Sequence, residues 1–131
     1  MPPDYAPGSA EDWLSRARGK LLLARQPLPE GGYWEDLAFM AQQAAELAIK
    51  AVYQRKGWRF PFIHDIRYLL DGLEKNGMPV PQIVREAERL TIFATQMRYP
   101  GMIDRMAEAD HVAMLNIAGQ VVDWGDSILA S

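Results

Sequence analysis

Apolar positions along the chain recur at helical spacing, and no segment alternates as a half-buried strand would. Trp13, Ala17 and Leu21 fall on one helical face behind Ser9, and Asp12 follows that serine by three residues, a carboxylate variant of the capping box. A first helix is expected over Ala10–Arg25, stopped by the two prolines and two glycines of "QPLPEGG". A second is expected over Trp34–Lys56, with Glu35 and Asp36 where the helix dipole favours carboxylates and Gly57 as its end. "WRFPFIHDI" reads as an extended connector, with Asp65 capping a third helix through Leu69, Leu70 and Leu73 to Lys75. After "NGMPVP", Pro81 suits the first position of a fourth helix with Ile83, Ala87, Leu90, Phe93 and Ala94 on one stripe, ending before Pro100. A fifth starts near Ala107 or Glu108 and carries Val112, Leu115, Ala118, Val121, Val122 and Leu129 to the carboxy terminus. The expectation is an all-α, antiparallel bundle of four to five helices, with 1–8 as a flexible arm and 9–131 as one domain.

The second helix breaks its own pattern. Met40, Ala44, Leu47, Ala48 and Ala51 make a wide apolar face, which suggests a homodimer contact, while Phe39, Gln43, Glu46, Lys50 and Tyr53 share a narrow stripe. Glu46 and Lys50 form an i, i+4 pair in the favourable order. Such a stripe is either a solvated ridge or an aromatic-edged cleft or subunit seam, and the residue types alone do not choose.

Composition narrows the function. No apolar run reaches the roughly 20 residues of a membrane span, because Glu46 and Lys50 interrupt the best candidate. The first residues lack the basic flank and apolar stretch of a secretion signal. The absence of cysteine removes thiol catalysis and zinc–cysteine sites and permits a cytoplasmic location. Two widely separated histidines give no metal-ligand spacing, and no cofactor is expected. A net charge of −3 means that any nucleotide or nucleic acid must be met by a local basic pocket.

Three segments read together resemble the HEPN family: "FMAQQAAELAIKAVY", "FIHDI" and "LTIFATQMRYPG", over roughly Asp12 to Ile128. The resemblance implies a helical bundle that dimerises through its long helices and carries a polar cleft near the contact. It also implies a nucleotide-binding or RNA-cleaving role, often beside a minimal nucleotidyltransferase in a toxin–antitoxin pair. Carried over onto this sequence, the implied site residues are Gln43, Glu46, Lys50, His64, Asp65, Arg98 and Tyr99. Arg98 and Lys50 are the cations suited to phosphate, and Tyr99 either stacks on a base or packs as core. His64 suits proton transfer or a helix-start contact, and Asp65 is better placed as a cap.

Ribonuclease-type members carry an arginine and, four to six residues on, a histidine near the last helix. From Arg98 that spacing meets no histidine, whereas "RMAEADH" places His111 six positions after Arg105. A metal-independent endoribonuclease using Arg105 and His111 is therefore one alternative. A non-catalytic protein-interaction module is another, since helical bundles bind partners by helical faces. Phosphate binding in a cleft lined by Lys50, Arg98 and His64 is the leading expectation.

Overall fold

The computed structural model describes residues 4–92 and 106–131. Among them there is no strand, and the helices are α1 (Ala10–Ala24), α2 (Trp34–Lys56), α3 (Ile66–Lys75), α4 (Gln82–Arg85) and α5 (Glu108–Ala130), with a 3₁₀ segment at Glu86–Leu90. At α1 only half of the capping box forms: Ser9 Oγ accepts from the Asp12 amide at 3.1 Å, whereas Asp12 Oδ2 accepts from the Gly8 amide at 2.9 Å, one residue before the N-cap, because the Ser9 amide donates to the Ala6 carbonyl at 3.0 Å. Gly57 ends α2 in the left-handed region at φ 71°, where a side chain would be strained. Asp65 caps α3 by accepting from the Tyr68 amide at 3.3 Å.

One expected stripe is displaced, and another is kept except at its first residue. The fourth helix is not one continuous α-helix from Pro81: Pro81 is its N-cap, and four α-helical residues give way to the 3₁₀ segment. Over Gln82–Leu90 its buried residues are Val84, Ala87 and Leu90, spaced by three as a 3₁₀ turn requires, and Ile83 is turned outward; Phe93 and Ala94 of the expected stripe lie outside the described residues. Arg85 holds this segment to α3 through ion pairs with Asp71 at 2.8 Å and with Glu74, and it also meets Glu88 at 2.9 Å. On α5 the expected Ala118, Val121, Val122 and Leu129 are inward, joined by His111, Met114, Ile117, Gly119 and Gly125, and Val112 faces solvent.

Contacts at the two ends set the helix directions. At one end His111 at the start of α5 meets Ala24 at the end of α1 and stacks on Trp34 at the start of α2. At the other end Arg55 of α2 pairs with Glu11 of α1 at 3.1 Å and donates to the Leu129 carbonyl of α5 at 2.7 Å. Thus α2 and α5 both run antiparallel to α1.

Helix α2 is the centre of the bundle. Ala41, Ala44, Ala45, Ala48, Ala51, Ile49 and Val52 are fully buried, and the small alanines let neighbouring backbones approach. Gly125 of α5 comes so close that a Cβ there would sit 3.4 Å from the Ala48 carbonyl oxygen. Gly72 of α3 leaves room for the Tyr53 hydroxyl, which donates to the Leu69 carbonyl at 2.6 Å. The apolar face of α2 is thus largely covered within the protomer, by α1 and α5. Large exposed apolar side chains lie instead at Leu22 and Leu23 of α1 and Val112 of α5.

Candidate functional site

Because α2 is surrounded, its polar residues are not a solvated ridge: Glu46 is 6% and Lys50 5% exposed, and Gln42 is fully buried. One turn of helix separates each from the next, so their side chains stack along one line. Gln42 Nε2 donates to Glu46 Oε1 at 3.0 Å, and Lys50 Nζ donates to Glu46 Oε2 at 2.8 Å. Burying an isolated carboxylate or ammonium would be prohibitive, and burying the pair is tolerable because each neutralises the other. Phe60, from the connector between α2 and α3, covers the cation with its ring centroid 5.4 Å from Nζ. Its position is fixed by edge contacts to Trp13 at 5.4 Å and Tyr53 at 5.6 Å.

His64 completes the cluster from the same connector. Its Nδ1 lies 2.9 Å from Glu46 Oε1 and 3.2 Å from Oε2. An ionised carboxylate only accepts, so Nδ1 carries the hydrogen and donates, leaving Nε2 as the ring's outer atom. The imidazole is 72% exposed, whereas the carboxylate that orients it is interior. A buried ion pair therefore aims one solvent-facing nitrogen, an arrangement able to accept or deliver a proton or to contact an anion.

His111 has the opposite surroundings. It is 4% exposed, donates from Nε2 to the Ala24 carbonyl at 3.0 Å, and stacks on Trp34 with ring centroids 5.2 Å apart. Its Nδ1 is buried and has no hydrogen-bond partner among the described residues. Burial pushes its pKa below the ordinary imidazole range, opposed by the Ala24 carbonyl and by Glu108.

A family model for the HEPN domain matches residues 10–128. The chain belongs to the HEPN family. The fold of this HEPN domain is also similar to that of ST0689, an archaeal HEPN homologue known from its crystal structure, with a TM-score of 0.73 and 29% identity. That alignment covers 92% of this chain and 98% of the archaeal one. No curated protein matches the chain.

Of the residues expected from sequence, the HEPN domain brings Glu46, Lys50 and His64 together and sets Asp65 apart as a cap. Gln43 is half-buried, with its Oε1 unpartnered among the described residues. Arg98, Tyr99 and Arg105 lie outside the described residues. Among the described residues no group of three His, Asp or Glu side chains could hold a metal ion, and no helix is long and apolar enough to cross a membrane. Two members of the cluster were not among the expected site residues: Gln42, a polar residue of the Ala-rich second helix whose place four residues before Glu46 signals the contact, and Phe60, whose approach depends on the path of the connector.

Proposed function

We propose that this HEPN domain binds a phosphate of a nucleotide or RNA at the outer edge of His64, in a polar cleft backed by Glu46 and Lys50. The observation that carries the reading is the hydrogen-bonded line from the buried pair to an exposed imidazole whose Nε2 is presented outward. A phosphate oxygen only accepts, so the ring meets it by donating from Nε2 in a charge-assisted bond. Lys50 balances the charge of Glu46 from within. Arg98 is the second expected phosphate ligand, through its bidentate fork, with Gln43 and Tyr99 lining the cleft.

Endoribonuclease action through Arg105 and His111 has less support, because the His111 imidazole is interior and already engaged with Ala24. A homodimer belongs to the proposal, with its contact on α1 and α5, where Leu22, Leu23 and Val112 are exposed. A minimal nucleotidyltransferase partner in a toxin–antitoxin pair, and a cytoplasmic location, rest on the family resemblance and the composition.

Calorimetric titration of the purified protein with ATP, AMP and a short RNA tests the site. His64→Ala should weaken binding by about 10-fold or more, the scale of a hydrogen bond to a charged group, and should reduce the salt slope by about one phosphate contact. Equal affinities for the wild type and His64→Ala at the same low salt would refute the site.

A further inference from the structure

The connector between α2 and α3 has an inner and an outer row. Trp58, Phe60 and Ile63 are partly buried against the core, and Ile66, the first residue of α3, is fully buried. Arg59, Phe62, His64 and Arg67 are exposed. Phe62 is 99% exposed, although aromatic neighbours two and four residues before it found places in the core. It sits at the apex of a three-residue turn closed by the Ile63 amide donating to the Pro61 carbonyl at 2.9 Å. No non-glycine residue has a positive φ among the described residues, so the turn is the unstrained inverse form. The ring is thus held out by a tight turn whose two flanks are anchored.

A single exposed apolar side chain is ordinary on a protein surface. What sets this one apart is its charge environment. Lys56, Arg59 and Arg67 lie within six residues of it along the chain, against Asp65 as the exposed carboxylate of that stretch, and they form no ion pair among the described residues, on a chain whose net charge is −3. His64, the proposed phosphate contact, is two residues away, at most about 7 Å along the chain. An apolar partner protein would be met by an apolar surround. A solvent-exposed aromatic ring with unpaired cations close to it along the chain instead complements an unpaired base carried on a phosphate backbone.

We propose that Phe62 is a stacking platform for an unpaired base, so that the ligand of the His64 site is a single-stranded polynucleotide rather than a free nucleotide or a duplex. This rests on the phosphate-binding reading of His64 and adds to it the ligand class. Arg59 and Arg67 follow the backbone on either side, and the stack tolerates any base because every base has a π face.

Fluorescence anisotropy with labelled 12-nucleotide RNA, the same sequence as DNA, and the matched RNA duplex tests the proposal, with unlabelled AMP as competitor. Phe62→Ala should weaken single-strand binding by about 5- to 150-fold, the scale of one stacked base, and leave duplex binding unchanged. Phe62→Trp should retain affinity, and Phe62→Leu should fall with the alanine variant, because leucine is apolar without a π face. Preference for RNA over DNA would assign RNA as the ligand, and equal affinity would assign single strands of both kinds. Phe62→Ala binding single strands like the wild type, while His64→Ala does not, would overturn the stacking site and leave the phosphate site standing. Wild-type protein that binds no nucleic acid or nucleotide would overturn both. A change in molecular mass by light scattering in Phe62→Ala, with unchanged RNA affinity, would make the ring a protein contact and overturn the proposal.

Discussion

The two histidines of this HEPN domain are held by opposite means. His64 is exposed and takes its orientation from a buried charge, whereas His111 is buried and takes its orientation from a backbone carbonyl and an indole ring. In the first case interior polar chemistry is used to direct a surface group, and removing the surface group should leave the fold nearly intact. In the second the imidazole is part of the packing between α1, α2 and α5, and its removal should be felt as lost stability. The buried pair of Glu46 and Lys50 shows why the two are not interchangeable. A charged interior contributes little net stability compared with an apolar one, yet breaking it leaves an uncompensated charge.

The largest effect should therefore come from Glu46→Ala, which strands the Lys50 ammonium beneath Phe60 and frees His64. A loss of about 3–5 kcal/mol in urea denaturation is expected. The double change Glu46→Gln with Lys50→Met, which removes both charges and keeps the volume, should recover most of that loss while still leaving His64 without its carboxylate. If the single change costs under about 1 kcal/mol, the pair is not interior in solution.

His111→Ala comes next, at about 2–3 kcal/mol for the lost stack, the lost hydrogen bond and the space left behind. The same residue sets a pH dependence. Its folded-state pKa is lowered, so below about 6.5 the unfolded chain binds a proton that the folded chain resists. Stability contributed by neutral His111 is present above that pH and is lost as the pH falls toward the folded-state value. Denaturation of the wild type and His111→Phe at pH 7.5 and 5.5 checks this. The wild type should lose more stability on acidification than the variant, and parallel losses would count against an interior His111.

The smallest effect on stability is expected from His64→Ala, within about 0.5 kcal/mol, because the ring is mostly solvated and the carboxylate keeps Lys50 and Gln42. A melting temperature unchanged by His64→Ala but clearly lowered by His111→Ala would hold the two residues to their separate roles. Similar losses in both would dissolve the contrast.

Much of the architecture was legible in the residues themselves. Ser9 with Asp12, Asp65 and Gly57 mark helix ends through hydrogen bonds and backbone geometry that involve only near neighbours, and the structure places those ends within a residue of expectation. The i, i+4 spacing of Glu46 and Lys50 likewise dictates their contact. Local chemistry suffices because each interaction closes within one turn of helix.

What periodicity did not determine is which face of a helix is inside, since that depends on what packs against it. The inward turn of Val84 in place of Ile83 on the fourth segment accompanies the change to 3₁₀ winding, in which residues three apart share a face. The burial of Glu46 and Lys50 is a tertiary outcome too, because α2 is enclosed by neighbours distant in sequence and the connector lays Phe60 over the ammonium. The roles of the two histidines divide along the same line. Local residue patterns suffice for a helical HEPN bundle and a Glu–Lys pair on its second helix, whereas packing between remote segments stands His64 out in solvent on that pair and seals His111 against Ala24 and Trp34.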